Sequence, residues 1–319
     1  MTTYYGLYGQ KVQYLASDPT DVQIGQVWYN STSAILKVRQ NVTTNSWASG
    51  GALNTGRYFN AGAGTQTAAL TFGGTDGTPS FVVATEKYNG TSWTATGNLN
   101  TGRYGLIGFG LQTAALAVSG NVGPQTQTEA FNGSTWTTVN SLGSSKYYGA
   151  GAGTQTAGLA FSNITAPSGL TELWNGTSWT ANPTGLNNAR AQLSGVGVQT
   201  AALAFGGAPY SPLTESWNGS TWTSVNSLNT GRQTSAGAGI QTAALAFGGT
   251  VNPNTNITTT ELWNGTSWTT NPTGLASAVS RLAGAGTQAA ALSFGGEPSR
   301  TGTEEWTGTQ SLSRTVTVT

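Results

Sequence analysis

Short stretches of alternating apolar and polar residues run along most of the chain, and Gly or Asn-Gly pairs interrupt them at short intervals. This period of two, in stretches rich in Thr, Val, Trp, Tyr and Phe, predicts β-strands and excludes a helical solenoid. In one part of the chain we expect consecutive strands over 57–64, 68–74, 85–88 and 91–96. Asn89-Gly90 joins the last two, which predicts a two-residue type I′ turn with positive φ at both residues.

The same pattern repeats along the chain. The string Gln-Thr-Ala-Ala-Leu, or a close variant, recurs at steps of 42–47 residues and begins at Gln66, Gln112, Gln155, Gln199, Gln241 and Gln288. Each copy is followed by Thr-Glu, an aromatic residue, Asn-Gly and Trp, although the last copy, from Thr303, is degenerate. Repeats of this length built from short strands are typical of propeller blades. The sequence therefore predicts an all-β, six-bladed propeller over residues 43–308.

The copies do not divide the chain into complete units. Trp47 matches the fourth-strand Trp of the other units without a complete unit before it, whereas the last unit, around Trp306, lacks that strand. We expect the strand around Trp47 to complete the sheet that begins near Ala283, because an open edge would expose unpaired backbone groups. The alternative is that residues 309–319 supply this strand rather than form a C-terminal tail.

Residue size also varies within each unit. Strands near a propeller axis converge, which suits the Gly- and Ala-rich first strands, whereas the outer strands leave gaps that large rings fill. An indole in such a gap buries roughly 150–250 Å². The Trp residues expected there are Trp174, Trp179, Trp217, Trp222, Trp263 and Trp268.

Charged and reactive residues are scarce. Of the 319 residues 7% are charged, the formal net charge is +1, and the chain contains neither His nor Cys. We therefore expect no nucleic-acid partner, and His- or Cys-dependent catalysis, disulfides and Cys or His zinc sites are excluded. No run of 18 apolar residues occurs, and the polar N-terminus does not resemble a signal peptide, so we expect no membrane insertion. We also expect no metal and no cofactor.

Several residues of the repeat resemble the kelch-type β-propeller, and they are Gly73-Gly74, Glu86, Tyr88, Trp93 and Arg103. Ser119-Gly120 and Ser162-Asn163 replace the Gly pair in two units, where the strand corner should bend differently. The resemblance implies a kelch-like propeller, and such propellers generally bind partners through loops on one face.

The segment before the repeats has another resemblance. Residues 25–38 (GQVWYNSTSAILKV) resemble a short piece common in tail-fibre and related virion proteins of bacteriophages, where it forms a small β-hairpin. This resemblance implies a virion structural protein, homo-oligomeric in the virion, in which residues 1–42 attach to other virion proteins. The propeller would then adhere to a glycan or an outer-membrane receptor of the host. The alternatives are a virion adaptor or decoration protein, and a glycan-binding propeller or depolymerase, including a cellular lectin or adhesin.

The strand order sorts the connections onto two faces. The turns after the first and third strands lie on one face, and the connections after the second and fourth strands lie on the other, which we call the loop face. The second-strand connections vary, and variable insertions of repeat proteins often mark the binding face. The alternative is that they are surface loops without a role. The candidate receptor contacts are Asp76, Phe81, Pro124, Tyr210, Pro253, Asn254 and Arg300.

Charge also follows the repeat. A cation opens the first strand of each unit, at Arg57, Arg103, Lys146, Arg190, Arg232 and Arg281. A Glu opens the third strand, at Glu86, Glu129, Glu172, Glu215, Glu261 and Glu304. This ring could hold an anion or a sugar, but its presence in every unit favours one structural ion pair per blade.

Catalysis would need acids outside the repeat register. Asp76 and Glu297 belong to the first and last units, which adjoin in a closed ring, and such a pair could serve glycoside hydrolysis. The sequence offers no irregular cluster of acids, Tyr and Arg typical of catalytic propellers. We therefore expect a protein that is not an enzyme.

Overall fold

The computed structural model describes residues 12–20, 24–42, 44–78, 81–121, 125–163 and 169–316. The chain divides into two compact units, one formed by residues 1–45 with 308–319 and the other by residues 46–307. Both units are built from β-strands. Within the described residues no helix is long and apolar enough to span a membrane.

The smaller unit contains one four-stranded sheet in the order β1 (Gln13–Leu15), β2 (Val27–Asn30), β3 (Ile35–Val42) and β30 (Gln310–Thr315). Strands β2 and β3 are antiparallel and form the hairpin predicted for 25–38, whereas β1 runs parallel to β2. Trp28 is fully buried in this unit. Hydrogen bonds from Asn30, Lys37 and Trp28 lower the pKa of Asp18 to about 2.

The larger unit consists of four-stranded antiparallel sheets, numbered here in chain order. Sheet 1 contains β5 (Ala61–Gly64), β6 (Ala69–Phe72), β7 (Thr85–Tyr88) and β8 (Trp93–Thr96). Sheet 2 contains β9 (Ile107–Leu111), β10 (Ala114–Val118), β11 (Thr128–Phe131) and β12 (Trp136–Val139). Sheet 3 contains β13 (Ala150–Gly153), β14 (Gly158–Phe161), β15 (Thr171–Trp174) and β16 (Trp179–Asn182).

The remaining sheets follow the same order. Sheet 4 contains β17 (Ser194–Val198), β18 (Ala201–Phe205), β19 (Thr214–Trp217) and β20 (Trp222–Val225). Sheet 5 contains β21 (Ala236–Ile240), β22 (Ala243–Phe247), β25 (Thr260–Trp263) and β26 (Trp268–Thr270). A small hairpin of β23 (Thr250–Val251) and β24 (Thr255–Asn256) lies in the second-strand connection of this sheet. Sheet 6 contains β27 (Ala283–Gly286), β28 (Ala290–Phe294), β29 (Thr303–Thr307) and β4 (Ser46–Ser49).

The fourth strand of sheet 6 comes from the beginning of the larger unit. Strand β4 pairs antiparallel with β29, and Trp47 stands opposite Trp306. The predicted pairing of the strand around Trp47 is therefore confirmed. Strand β30 instead pairs with β3 in the smaller unit, so the alternative in which residues 309–319 complete sheet 6 is wrong.

The Asn-Gly turns differ from the prediction. Tyr88 pairs with Trp93, which leaves a four-residue loop, and only Gly90 of the Asn89-Gly90 pair has a positive φ. The Asn89 side chain accepts hydrogen bonds from the main-chain N–H groups of Thr91 and Ser92, both at 2.9 Å. An Asn side chain that caps the loop replaces the type I′ geometry.

The first strands contact one another in the order β5, β9, β13, β17, β21, β27 and back to β5. Their Gly and Ala residues line a cavity of about 170 Å³. A Cβ atom on Gly62 would lie 2.6 Å from the Phe294 ring and 2.9 Å from the Gly284 carbonyl oxygen. Glycine is therefore required where these strands converge, as the sequence predicts.

Aromatic rings fill the spaces between neighbouring sheets. Phe residues of second strands pack against the fourth-strand Trp of the next sheet with centroids 4.7–5.1 Å apart, for example Phe72 against Trp136 and Phe161 against Trp222. Five of the Trp residues predicted to fill gaps are at most 5% exposed, and Trp179 is half-buried.

Each fourth-strand Trp also donates a hydrogen bond from Nε1 to a Thr hydroxyl in the preceding sheet at 2.9–3.1 Å. The pairs are Trp93 with Thr303, Trp136 with Thr85, Trp179 with Thr128, Trp222 with Thr171, Trp268 with Thr214 and Trp47 with Thr260. Sheet 1 is thus bonded to sheet 6, and every other sheet to the one before it.

The repeated Gln residues make a second set of contacts between sheets. Nε2 of each Gln donates to two main-chain carbonyl groups of the preceding sheet at 2.5–3.3 Å. Gln66 of sheet 1 donates to Ala291 and Trp306 of sheet 6. The recurring Gln and Trp residues of the repeat therefore bond each sheet to its neighbour. The result is a propeller-like all-β fold.

We expect Gln199→Ala to lower the free energy of unfolding by about 1–3 kcal/mol, because it removes hydrogen bonds to the Gly158 and Trp174 carbonyl groups. Urea unfolding of the full chain measures the change. Thr200→Ala, an exposed residue of the same turn, is the control and should change stability by less than about 0.5 kcal/mol. Equal effects of both substitutions would contradict the bonding role of the Gln.

Candidate functional site

Five of the predicted ring cations are buried in ion pairs. The pairs are Arg57–Glu86, Arg103–Glu129, Lys146–Glu172, Arg190–Glu215 and Arg232–Glu261, and no side chain in them is more than 3% exposed. Charges this deeply buried cannot reach a ligand at the surface. These five pairs therefore support the protein structure, and they do not form an anion site.

Each carboxylate also holds the connection that arrives from the preceding sheet. Glu86 accepts hydrogen bonds from the main-chain N–H groups of Asn54 at 2.8 Å and Thr55 at 3.1 Å. Arg57 donates to Glu86 at 2.6 Å and to the Ala84 carbonyl at 2.5 Å. The ion pair thereby ties a loop-face connection to the start of the third strand.

The sixth pair, Arg281 with Glu304, was predicted wrongly. The second Gly of a pair donates its N–H to the carbonyl of the ring position in the next sheet, as in Gly207 to Arg232 at 2.9 Å. In sheet 5 the same bond runs from Gly249 to Val279 at 2.8 Å, so Val279 occupies the ring position of sheet 6. Arg281 lies two residues further along and pairs with Glu297 at the surface.

Glu304 consequently has a different environment from its counterparts. Burial raises its pKa, and no Lys or Arg of the described residues forms an ion pair with it. For Glu172, burial opposes ionisation, but hydrogen bonds from Lys146 and Ser144 outweigh it and lower the pKa. The difference between Glu304 and Glu172 shows that a neighbouring cation lowers the pKa of the carboxyl group at this position.

A ring of main-chain hydrogen bonds lies at the loop-face end of the first strands. We call its members the collar, and they are Phe59, Gly105, Tyr148, Gln192, Thr234 and Arg281. Each collar N–H donates to the carbonyl of the previous collar residue at 2.8–3.0 Å, and Phe59 donates to Arg281. The collar surrounds a cavity of about 130 Å³.

The collar backbone has an unusual conformation. Its φ angles lie between 52° and 62°, in the left-handed region that favours glycine. Gly105 adopts this conformation without strain. For each of the other members, the left-handed backbone raises the free energy of the folded state by roughly 1–2 kcal/mol. Strained positions of this kind cluster at functional sites.

Aromatic side chains occupy one half of the collar surroundings. The Phe59 and Tyr148 rings have centroids 4.6 Å apart, and Tyr147 stacks on Tyr148 at 4.0 Å. Phe81 stacks on Tyr104 at 5.0 Å, and Tyr104 contacts Phe59 at 6.1 Å. Burial raises the pKa of both Tyr147 and Tyr148, so their hydroxyl groups stay protonated at neutral pH.

Polar side chains occupy the other half. Gln192, Thr234 and Arg281 of the collar also line a second cavity of about 150 Å³. Gln233, Asn254, Asn256 and Glu297 contribute further donors and acceptors to it. The Arg281 guanidinium lies 5.0 Å from the centre of the Phe59 ring and its side chain is 42% exposed, so it joins the aromatic and polar halves.

Of the predicted contact residues that the structure describes, only Asn254 lines one of these two cavities. Asn254 lines the polar cavity and accepts a hydrogen bond from the Tyr210 hydroxyl at 2.6 Å. Phe81 extends the aromatic half, and Arg300 lies over the Tyr58 ring and donates to the Asp76 carbonyl. Pro253 is exposed beside Asn254, and Pro124 lies outside the described residues.

Most collar residues were missed by sequence reasoning. Phe59, Tyr148 and Gln192 of the collar were not among the candidates, and neither were Tyr58, Tyr104 and Tyr147, which precede collar residues in the chain. They share one sequence signal, because each stands one or two residues after a ring cation. The variable loop lengths predicted binding residues in the second-strand connections, whereas the collar lies in the fourth-strand connections.

We expect Arg232→Met to lower the free energy of unfolding by about 3–5 kcal/mol, because it leaves the buried Glu261 carboxylate without its cation. Arg281→Met should change stability by less than about 1 kcal/mol, because its ion pair with Glu297 is partly exposed. Urea unfolding of both variants checks the assignment. A larger loss for Arg281→Met would contradict the revised register.

Comparison with known proteins does not indicate a function, so the assignment depends on the residues described above. No protein-family model matches the chain, and no curated protein matches it. Within the described part of the chain, no three His, Cys, Asp or Glu side chains are grouped as metal ligands would be.

Proposed function

We propose that residues 46–307 form a closed, six-bladed, kelch-like propeller. The cyclic order of first-strand contacts supports closure. Three hydrogen-bond networks also run from sheet 6 to sheet 1, through Trp93 and Thr303, through Gln66 and Trp306, and through Phe59 and Arg281. A closed ring leaves no exposed sheet edge between its first and last blades.

The propeller is proposed to serve adhesion in a bacteriophage virion, as part of a tail fibre or another appendage. The resemblance of residues 25–38 to virion proteins supports this role, as does the separate compact unit that contains them. In this proposal the smaller unit binds other virion proteins in a homo-oligomeric assembly. The larger unit displays its loop face to a glycan or an outer-membrane receptor of the host.

The collar is the observation that carries the binding proposal. Five of its members retain side chains in a backbone conformation that glycine adopts freely. A purely structural collar would be less strained with glycine at every position, as Gly105 is. The presence of side chains at these strained positions therefore favours a role for them in ligand contact. The five residues are Phe59, Tyr148, Gln192, Thr234 and Arg281.

A surface glycan is the ligand class that suits these side chains. Aromatic rings such as Phe59 and Tyr148 offer flat apolar surfaces to the C–H faces of a sugar. Gln192 supplies an amide, and Arg281 supplies a fork of donors suited to hydroxyl or carboxylate groups. The collar cavity is lined by both apolar and polar groups, and convergent polar groups fix the orientation of a ligand in a binding site.

The arrangement favours binding over hydrolysis. The Glu297 carboxylate contacts both Arg281 and Arg300, so its oxygens are occupied. The Asp76 carboxylate accepts hydrogen bonds from the N–H and hydroxyl groups of Thr78. Both acids are engaged by neighbouring groups, and we therefore propose a protein that is not an enzyme.

We expect the full-length protein to bind one or more polysaccharides on an array of bacterial surface glycans. Gln192→Gly and Tyr148→Gly should each reduce affinity by about tenfold or more, because they remove collar side chains. Gln192→Gly should change the free energy of unfolding by less than about 1 kcal/mol, because glycine suits its φ of 57°.

Thr200→Ala, on the opposite face, is the control and should bind as the wild-type protein does. Wild-type affinity in both collar variants would contradict the loop-face site. Binding to purified virion proteins through the collar, with no glycan bound, would favour the adaptor alternative. Release of sugar from a bound polysaccharide would favour a depolymerase.

A further inference from the structure

The buried Arg side chains of sheets 1, 4 and 5 occupy an equivalent set of acceptors. In sheet 5 the Arg232 guanidinium donates to the carbonyl groups of Thr230 at 3.2 Å, Gly248 at 3.1 Å and Thr259 at 2.9 Å. It also donates to a carboxylate oxygen of Glu261. Equivalent sets of three carbonyl groups and one carboxylate surround Arg57 in sheet 1 and Arg190 in sheet 4, whereas Arg103 in sheet 2 donates to two carbonyl groups and Glu129.

Sheet 6 keeps these acceptors without the cation. The main-chain register places Ser277, Gly295, Gly302 and Glu304 at the positions of the four acceptors in sheet 5. The N–H of Gly295 donates to the Gly302 carbonyl at 2.9 Å, just as Gly248 donates to Thr259 at 3.2 Å.

The carboxylate keeps its orientation as well. The N–H of Ala276 donates to Oε2 of Glu304 at 2.8 Å, and the N–H of Asn229 donates to Oε2 of Glu261 at 2.7 Å. The same main-chain contact therefore fixes both Glu residues at the start of the third strand.

A cavity stands where the guanidinium of the other sheets would lie. Its volume is about 140 Å³, and its lining includes the four acceptor residues and Val279. Val279 is too short to fill the space of an Arg side chain. Ser277 and Ser299 at the cavity are exposed, so solvent reaches it, whereas the filled positions enclose cations that are at most 3% exposed.

We propose that this cavity binds a guanidinium group supplied from outside the chain, with Glu304 as its carboxylate partner. The acceptor arrangement is the one that holds an Arg side chain in sheets 1, 4 and 5 of the same protein. The raised pKa of Glu304 is consistent with a carboxylate that lacks its cation. The site is separate from the collar and does not depend on the proposed adhesion function.

The guanidinium group could belong to a small free compound or to an Arg side chain of a partner protein. Both sources present the same planar donors to Glu304 and to the three carbonyl groups. The two sources differ in the size of the group attached to the guanidinium. A partner protein would place its peptide chain at the exposed mouth of the cavity near Ser277 and Ser299.

Carbon-13 NMR of the full-length protein, labelled at Glu, tests the proposal. The Glu304 carboxyl signal is assigned by its loss in Glu304→Gln, and methylguanidinium chloride is titrated at constant ionic strength. We expect a saturable shift of this signal in the wild-type protein with one site per chain. The remaining Glu signals should not move.

Val279→Arg supplies the missing cation from within the chain. We expect this variant to abolish the response to methylguanidinium and to raise the melting temperature, because it should form a sixth buried ion pair. Val279→Ala is the matched control, since it leaves the cavity open and should retain binding. If Val279→Arg does not fold, Glu304→Gln followed by calorimetry serves instead and should weaken binding by about tenfold or more.

Further probes separate the possible ligands. Binding of N-acetyl-arginine methylamide with an affinity like that of methylguanidinium would support an Arg side chain of a partner. Binding of methylguanidinium alone would support a small free compound. Equal binding of methylammonium or calcium chloride, an unchanged response in Val279→Arg, or no response in the wild-type protein would overturn the proposal.

Discussion

The buried, paired carboxylate at the start of the third strand in sheets 1 to 5 is the interaction on which the larger unit depends. Glu86 accepts hydrogen bonds from Asn54, Thr55 and Arg57, and so fixes the chain that arrives from the preceding sheet. Burying a charge is unfavourable unless it is paired and hydrogen-bonded. The cation, the carboxylate and the connecting loop therefore hold one another in place. These contacts fix the positions of the loop-face connections.

The collar keeps the same register as this arrangement. Each collar residue lies two positions after a ring position, and in sheets 1 to 5 that position carries the cation of the ion pair. The collar backbone has a left-handed conformation, and main-chain hydrogen bonds to the neighbouring collar residues hold it. Collar residues from every sheet line one cavity. In the proposed binding role, substitution of Phe59, Tyr148, Gln192 or Arg281 would alter ligand preference without altering the sheets.

Sheet 6 shows how the ring interaction and the loop face are linked. Val279 replaces the ring cation, and the nearby Arg281 instead joins the collar and pairs with Glu297. The substitution leaves a half-buried carboxylate, Glu304, beside an accessible cavity, and it places a cation at the mouth of the loop-face cavities. One departure from the repeat thus accounts for the cavity beside Glu304 and for the cation of the collar, although the two sites lie at different places and are proposed to bind different groups.

The sequence by itself determined the repeat, the strand order and the pairing of the strand around Trp47, because short strands with small and large residues in fixed register leave few ways to pack. It also indicated the five buried ion pairs through their recurrence. It could not distinguish Arg281 from a ring cation, since the offset of two residues becomes visible only when Gly249 is seen to bond to Val279. The collar was likewise beyond the sequence, because its members share a backbone conformation and a hydrogen-bond ring rather than a residue type. Only the tertiary structure brings together side chains from connections more than 40 residues apart, such as Tyr148 and Gln192.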